Sequence, residues 1–174
     1  MRTAAKDERE IIVVNGISVE MLIAGDGPAV LFLHGGLWLA DENPFIHALA
    51  KHVRVIAPSH PGFGNSGDPG DMATPDDLAY FYFDLIEKLG LEKVTIAGAS
   101  FGGWIAAEMA TKTSENIAGI VLVGALGIRP GLPTDRTICD IFGTKDSELI
   151  KRVFKHPPDG ADNLRAINDD DELR

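Results

Sequence analysis

The residues with the clearest capacity for chemistry lie in Gly98-Ala99-Ser100-Phe101-Gly102-Gly103, where a serine sits between glycines as a β-rich run passes into a helical pattern. A G-x-S-x-G turn between strand and helix strains the serine's backbone and lifts its hydroxyl clear of the sheet. Gly98 and Gly102 lack the Cβ atoms that would collide in so sharp a turn. The unpaired N–H groups and positive dipole end of the following helix face the place where an oxyanion would form. Ser100 is therefore predicted to be a nucleophile. The five-letter pattern alone would also fit an ordinary strand-to-helix turn. The apolar run before it, the small-residue helix after it and a second motif upstream favour the nucleophile.

Such a serine needs a scaffold, and the chain alternates the elements of one. Ile11 to Val14 and Ile17 to Ile23 read as strands joined at Asn15-Gly16, a hairpin signal because both residues tolerate positive φ. Ala29 to Leu33 is a continuous apolar run, the pattern of a strand buried on both faces. Asn43-Pro44 opens a helix through about His52, with Phe45, Ile46, Leu49 and Ala50 on one face, and Val53 to Ala57 is the next strand. His60 to Gly70 is too rich in glycine and proline for a regular element and is expected on the surface. Thr74-Pro75-Asp76-Asp77 combines a capping threonine, a first-turn proline and acids at the positive dipole end, so a helix runs from there to Leu89, stopped by Gly90. Leu91 to Ala97 leads into the serine turn, Phe101 to about Thr113 is the helix behind it, and Ile117 to Val123 is a sixth strand. This alternation predicts an α/β fold: a mostly parallel sheet covered by helices, with only the second strand antiparallel to the rest. After Gly127 the texture changes to loop, a short amphipathic helix over Asp146 to Phe154, and a polar stretch whose Asp169-Asp170-Asp171-Glu172 reads as a solvated face.

The 174 residues suit a single domain with a sizeable core. A net charge of −10 argues against nucleic acid or an anionic membrane as partner, since both demand a basic patch. The lone Cys139 permits no internal disulfide and no thiolate metal cluster, which favours a reducing compartment. No apolar stretch reaches the length of a signal peptide or of the ~18-residue membrane span, so a cytoplasmic protein is expected. No cofactor is expected, and a nucleotide-binding role is disfavoured because no G-x-x-x-x-G-K-[ST] loop occurs.

Leu33-His34-Gly35-Gly36 after one strand, Pro61-Gly62-Phe63-Gly64-Asn65-Ser66 after the next, and Gly98-Ala99-Ser100-Phe101-Gly102 after the third together resemble the α/β-hydrolase superfamily, in its order and at its spacing. The resemblance covers about residues 10 to 127. It implies a three-layer core over 1–127 and the start of the family's cap over 128–174. It also implies Ser100 as nucleophile, an oxyanion hole built from the backbone N–H groups of Gly36 and Phe101, and Leu37 as an adjacent substrate-binding residue. His34, at the head of the oxyanion turn, is implied to organise the loop and not to serve as base. Ser59, followed by His60, stands where the family often carries an aspartate, a departure that bears on the rigidity of the loop.

The family's triad acid and histidine follow the seventh (occasionally sixth) and the eighth strand, and neither late strand is present in this chain, which is expected to be C-terminally truncated. Gly124-Ala125-Leu126-Gly127 holds no carboxylate, the next acid is Asp135, and His156, the only histidine after Ser100, is read as a bystander. Three functions stay open. One is a serine hydrolase acting on a carboxylic ester or related acyl substrate through an acyl-enzyme. Another is a carbon–carbon bond hydrolase of the same superfamily. The last is a non-catalytic scaffold that lacks acid and base. Ile117 to Val123 is expected to form a bare sheet edge that invites self-association.

Overall fold

The computed structural model describes residues 8–36, 43–128, 131, 132, 134, 139, 143–153, 155 and 156. The chain separates into two compact units, residues 1–128 and 129–174.

In the first unit the expected alternation is realised as β1 (Glu8–Val14), β2 (Ile17–Ala24), β3 (Ala29–Leu33), α1 (Pro44–Ala50), β4 (Arg54–Pro58), α2 (Pro75–Lys88), β5 (Val94–Ala99), α3 (Phe101–Lys112) and β6 (Ile117–Val123). They form one six-stranded sheet in the order β1-β2-β4-β3-β5-β6. β2 pairs antiparallel with both neighbours, and every other pairing is parallel. The β1–β2 hairpin turns on Asn15 and Gly16, both at positive φ, as the sequence pattern required.

Alternation along the central strands sorts their side chains between two layers of helix. Leu31 and Leu33 of β3 join Ile96 of β5, the α2 residues Leu78, Phe81, Tyr82 and Leu85, and Ile105 and Met109 of α3 in one cluster. Val30 and Phe32 point the other way, to Val55, Ala57 and Ile46 of α1. β3 is thus buried on both faces, which is why it reads as an unbroken apolar run. The starts of α1 and α2 follow the capping rules. Asn43 accepts from the N–H groups of Phe45 and Ile46, and Thr74 forms a reciprocal capping box with Asp77.

Several boundaries differ from the sequence reading: β1 begins at Glu8 and not Ile11, α1 ends at Ala50 and not about His52, and two further differences bear on the site. β5 begins at Val94 and not Leu91, because Lys93 adopts a φ of 51° that no strand can carry. It continues to Ala99, paired with Val123. The segment expected as a surface loop from His60 is buried at its start: Ser59, His60 and Pro61 lie inside, and exposure begins at Gly62. Buried Glu20 of β2 docks the loop. Its carbonyl accepts from the Ser59 N–H at 2.8 Å, and its carboxylate accepts from the Asn65 side chain at 2.9 Å and pairs with Arg9 at 3.2 Å. Burial alone would raise the Glu20 carboxyl, but the Asn65 hydrogen bonds and the Arg9 charge outweigh it and hold the group below its ordinary value. Ser66 Oγ donates to the Ser59 carbonyl at 2.8 Å, so the turn at Ser59 is anchored through its backbone.

β6 occupies one edge of the sheet, with Ile120, Val121, Leu122 and Val123 exposed at 42%, 50%, 37% and 51%. Successive residues point to opposite faces, so both faces of this strand are open.

In the second unit α4 (Asp146–Val153) is helical, with an Arg152–Glu148 ion pair one turn apart at 2.7 Å. Phe154, expected as its last residue, and the acidic stretch from Asp169 lie outside the described residues. Among the described residues no helix is long and apolar enough to cross a membrane.

Candidate active site

Ser100 stands between β5 and α3 with φ 51° and ψ −113°, a conformation an L-residue enters only under constraint. The constraint is visible. The Ser100 N–H donates to the Val123 carbonyl at 2.9 Å, and the Ser100 carbonyl accepts from Leu126 at 2.9 Å and from Trp104 at 3.2 Å. Three backbone hydrogen bonds to β6, the turn after it and α3 therefore hold the strained residue from both sides. Two glycines make the turn sterically feasible. A Cβ on Gly98 would overlap the Gly102 carbonyl, and one on Gly102 would overlap the carbonyls of Leu33 and His34, so α3 sits directly against the end of β3.

That approach brings the His34-Gly35-Gly36 turn to the serine. A Cβ on Gly35 would lie 3.1 Å from Ser100 Cβ and 3.7 Å from its Oγ, so a side chain at 35 would crowd the hydroxyl. At Gly36 the same construction meets nothing within 4 Å among the described residues. The steric requirement for glycine thus falls on Gly35. Ser100 is half-buried, and its side chain makes no hydrogen bond among the described residues. The Phe101 N–H, first of α3, and the exposed Gly36 N–H have no backbone partner among the described residues and are available to a substrate oxygen. Leu37 and Asp135 lie outside the described residues. His156 is described in the second unit and is exposed.

Behind the turn lies a buried polar cluster that the sequence reading did not single out. His34 and His60 stack with ring centroids 3.8 Å apart, enclosed by Phe63, Tyr82 and Phe101. One assignment of protons accounts for the four hydrogen bonds that follow. The His60 N–H donates to His34 Nε2 at 3.0 Å, so His34 carries its proton on Nδ1 and donates it to the Gly35 carbonyl at 2.6 Å. His60 Nε2 donates to the His34 carbonyl at 2.9 Å, which leaves His60 Nδ1 to accept from the Tyr82 hydroxyl. All four ring nitrogens are thereby engaged, and neither histidine has one left to take a proton from Ser100. Burial, reinforced by neighbouring His34, pulls the His60 imidazole down to about 3, so it is neutral at physiological pH. Burial also holds the Tyr82 phenol well above its usual value. His34 therefore has the loop-organising position expected of it. The signal that could have pointed to His60 was its place at the end of a buried strand, directly before Pro61-Gly62.

A family model described as alpha/beta hydrolase fold matches residues 28–145. An uncharacterized protein of Mycobacterium tuberculosis is 33% identical over 161 residues, which cover 90% of this chain and 42% of that protein. The 2-hydroxy-6-oxo-6-(2'-aminophenyl)hexa-2,4-dienoic acid hydrolase of Metapseudomonas resinovorans is 33% identical over 118 residues, covering 65% of this chain and 41% of the hydrolase. Among solved structures, a serine hydrolase involved in carbazole degradation superposes with a TM-score of 0.64 at 30% identity, over 74% of this chain and 50% of that one. The chain spans less than half the length of these two sequence relatives.

Proposed function

The chain belongs to the α/β-hydrolase fold family, and on that premise we propose that it carries the nucleophilic part of a serine hydrolase acting on a carboxylic ester or related acyl substrate. The observation that supports this reading is Ser100 at φ 51° with Gly35 packed against it, a strained and half-exposed residue at the start of α3. Ser100 Oγ attacks the substrate carbonyl. The Gly36 and Phe101 N–H groups hold the oxyanion, and collapse of the tetrahedral intermediate expels the alcohol to leave an acyl-enzyme that water hydrolyses. The base that takes the serine proton, and the acid that orients it, come from outside the described residues. The His34–His60 pair, with its nitrogens engaged, supplies neither. On the same reading residues 128–174 begin the segment that shapes the pocket, Leu37 lies beside the oxyanion turn, and the partner is a small acyl compound with no cofactor.

The name of the Metapseudomonas relative favours a second reading, hydrolysis of a carbon–carbon bond in a vinylogous diketone. Both readings share the nucleophile and differ in the bond broken. Turnover of p-nitrophenyl esters against a 2-hydroxy-6-oxo-dienoate, measured on the protein as it occurs in the cell, separates them. Faster ester cleavage supports the first reading, and diketone cleavage with slow ester turnover supports the second. Neither activity, in a preparation whose Ser100 is intact, leaves a binding scaffold.

A further inference from the structure

The Tyr82–His60–His34 cluster lies behind the site and has no place in the chemistry above, yet its geometry bears on the oxyanion turn. A trans peptide is planar, so the Gly36 N–H points opposite to the Gly35 carbonyl and turns with it. That carbonyl accepts from His34 Nδ1 at 2.6 Å. Whatever fixes the His34 ring and the His34 main chain therefore fixes the direction of the Gly36 N–H. His60 does both. Its own N–H reaches His34 Nε2 at 3.0 Å, and its ring Nε2–H reaches the His34 carbonyl at 2.9 Å. Only the Nε2–H tautomer of His60 can make the second bond, and the Tyr82 hydroxyl selects that tautomer by donating to Nδ1. His60 is fully buried and Tyr82 likewise, so no water competes for these groups.

We infer that His60, with Tyr82 of α2 behind it, is a positioning residue for the oxyanion turn: it grips His34 at two points and so aims the Gly36 amide at the substrate oxygen beside Ser100. This role rests on the acyl-transfer reading of Ser100, and it ties α2, a helix that contributes no group to the chemistry, to the site. An oxyanion donor displaced from its aim loses most of its value in the transition state and little in the ground state. A disrupted relay should therefore lower kcat and leave KM nearly unchanged.

Two readouts test this. In the 15N-histidine-labelled chain, long-range proton–nitrogen correlation is expected to show the proton on Nε2 of His60 and on Nδ1 of His34. Tyr82→Phe, which removes one hydroxyl and keeps the ring, should give a mixture of His60 tautomers and shift the Gly36 amide resonance. The rate of fluorophosphonate attachment to Ser100 should fall about tenfold in Tyr82→Phe and about a hundredfold in His60→Leu. His60→Gln, whose amide nitrogen reaches the place of Nε2, should recover most of that loss. A purely structural role would not distinguish glutamine from leucine in this way. The inference is overturned if the wild-type tautomers are reversed, or if Tyr82→Phe or a folded His60→Leu labels at the wild-type rate. It is equally overturned if His60→Gln is no better than His60→Leu. Should wild-type Ser100 never label while the ring and Gly36 resonances respond as expected, the hydrolase reading fails and the positioning of the turn stands. If neither responds, both fail.

Discussion

Burying a histidine in its neutral form has a measurable consequence for stability. His60 faces His34 at the end of β3, Tyr82 from α2, Phe63 from its own loop and Phe101 from α3, and none of these offers a carboxylate to stabilise an imidazolium. Its proton affinity is lowered from an ordinary 6.5 to about 3 on folding, first by burial and then by His34. The unfolded chain therefore binds a proton below pH 6.5 that the folded chain refuses down to about 3, and stability falls as pH falls across that window. Between pH 7 and pH 5 the loss from this one group works out at about 2 kcal/mol, close to 1.4 kcal/mol per pH unit at the acid end. Glu20 and Asp77, whose carboxyls are held low, lose their contributions only at more acid pH, so the interval from 7 to 5 isolates the histidine. Urea unfolding of wild type and His60→Gln at both pH values, in dilute protein, gives the difference directly. The gap between the two proteins should narrow by about 2 kcal/mol on going to pH 5, because the glutamine variant has no proton to bind. A gap that does not change with pH would show that His60 is protonated in the fold, and the proton assignment of the cluster would be wrong.

Further expectations follow from the packing around the serine. Gly102→Ala places a methyl group on the Leu33 and His34 carbonyl oxygens and should cost about 3 kcal/mol in chemical denaturation; a neutral effect would mean that α3 does not seat against β3. Ser100→Gly should be more stable than Ser100→Ala by about 1 kcal/mol, since only glycine accepts φ 51° without strain; equal stabilities would remove the claim that the turn is strained. The open β6 edge should make the chain associate and bind an apolar-surface dye. Val121→Lys should raise the monomer fraction in size-exclusion chromatography, and a wild-type chain that is already a dye-silent monomer would show the edge to be protected.

How much of this was legible in the sequence follows the range of the interactions involved. The elements around Ser100 and the turn at His34-Gly35-Gly36 are local patterns: an apolar run, a cap, glycines where backbone must meet backbone. Those elements appear close to where the sequence puts them. The order β1-β2-β4-β3-β5-β6 depends on which strands cross over, and no local residue encodes it. The His34–His60–Tyr82 cluster joins residues 26 and 22 positions apart. In the sequence Tyr82 is one more apolar position on the buried face of α2, and His60 is one residue of a glycine- and proline-rich stretch. Glu20 is hidden for the same reason. A glutamate in a strand reads as a solvent-facing residue until Asn65, brought from 45 positions away, is found bonded to it. Lys93 shortened β5 because propensity along the strand says nothing of a single left-handed residue at its start.

The most direct measurement is the location of a covalent adduct. The chain is incubated for hours with a fluorophosphonate at high concentration, digested, and the modified peptide identified by mass spectrometry. A nucleophilic Ser100 predicts phosphonylation confined to that residue and lost in Ser100→Ala. The reaction should be slow, because the described residues place no free base against the hydroxyl. Adducts spread over other serines and tyrosines, or undiminished labelling of Ser100→Ala, would contradict it.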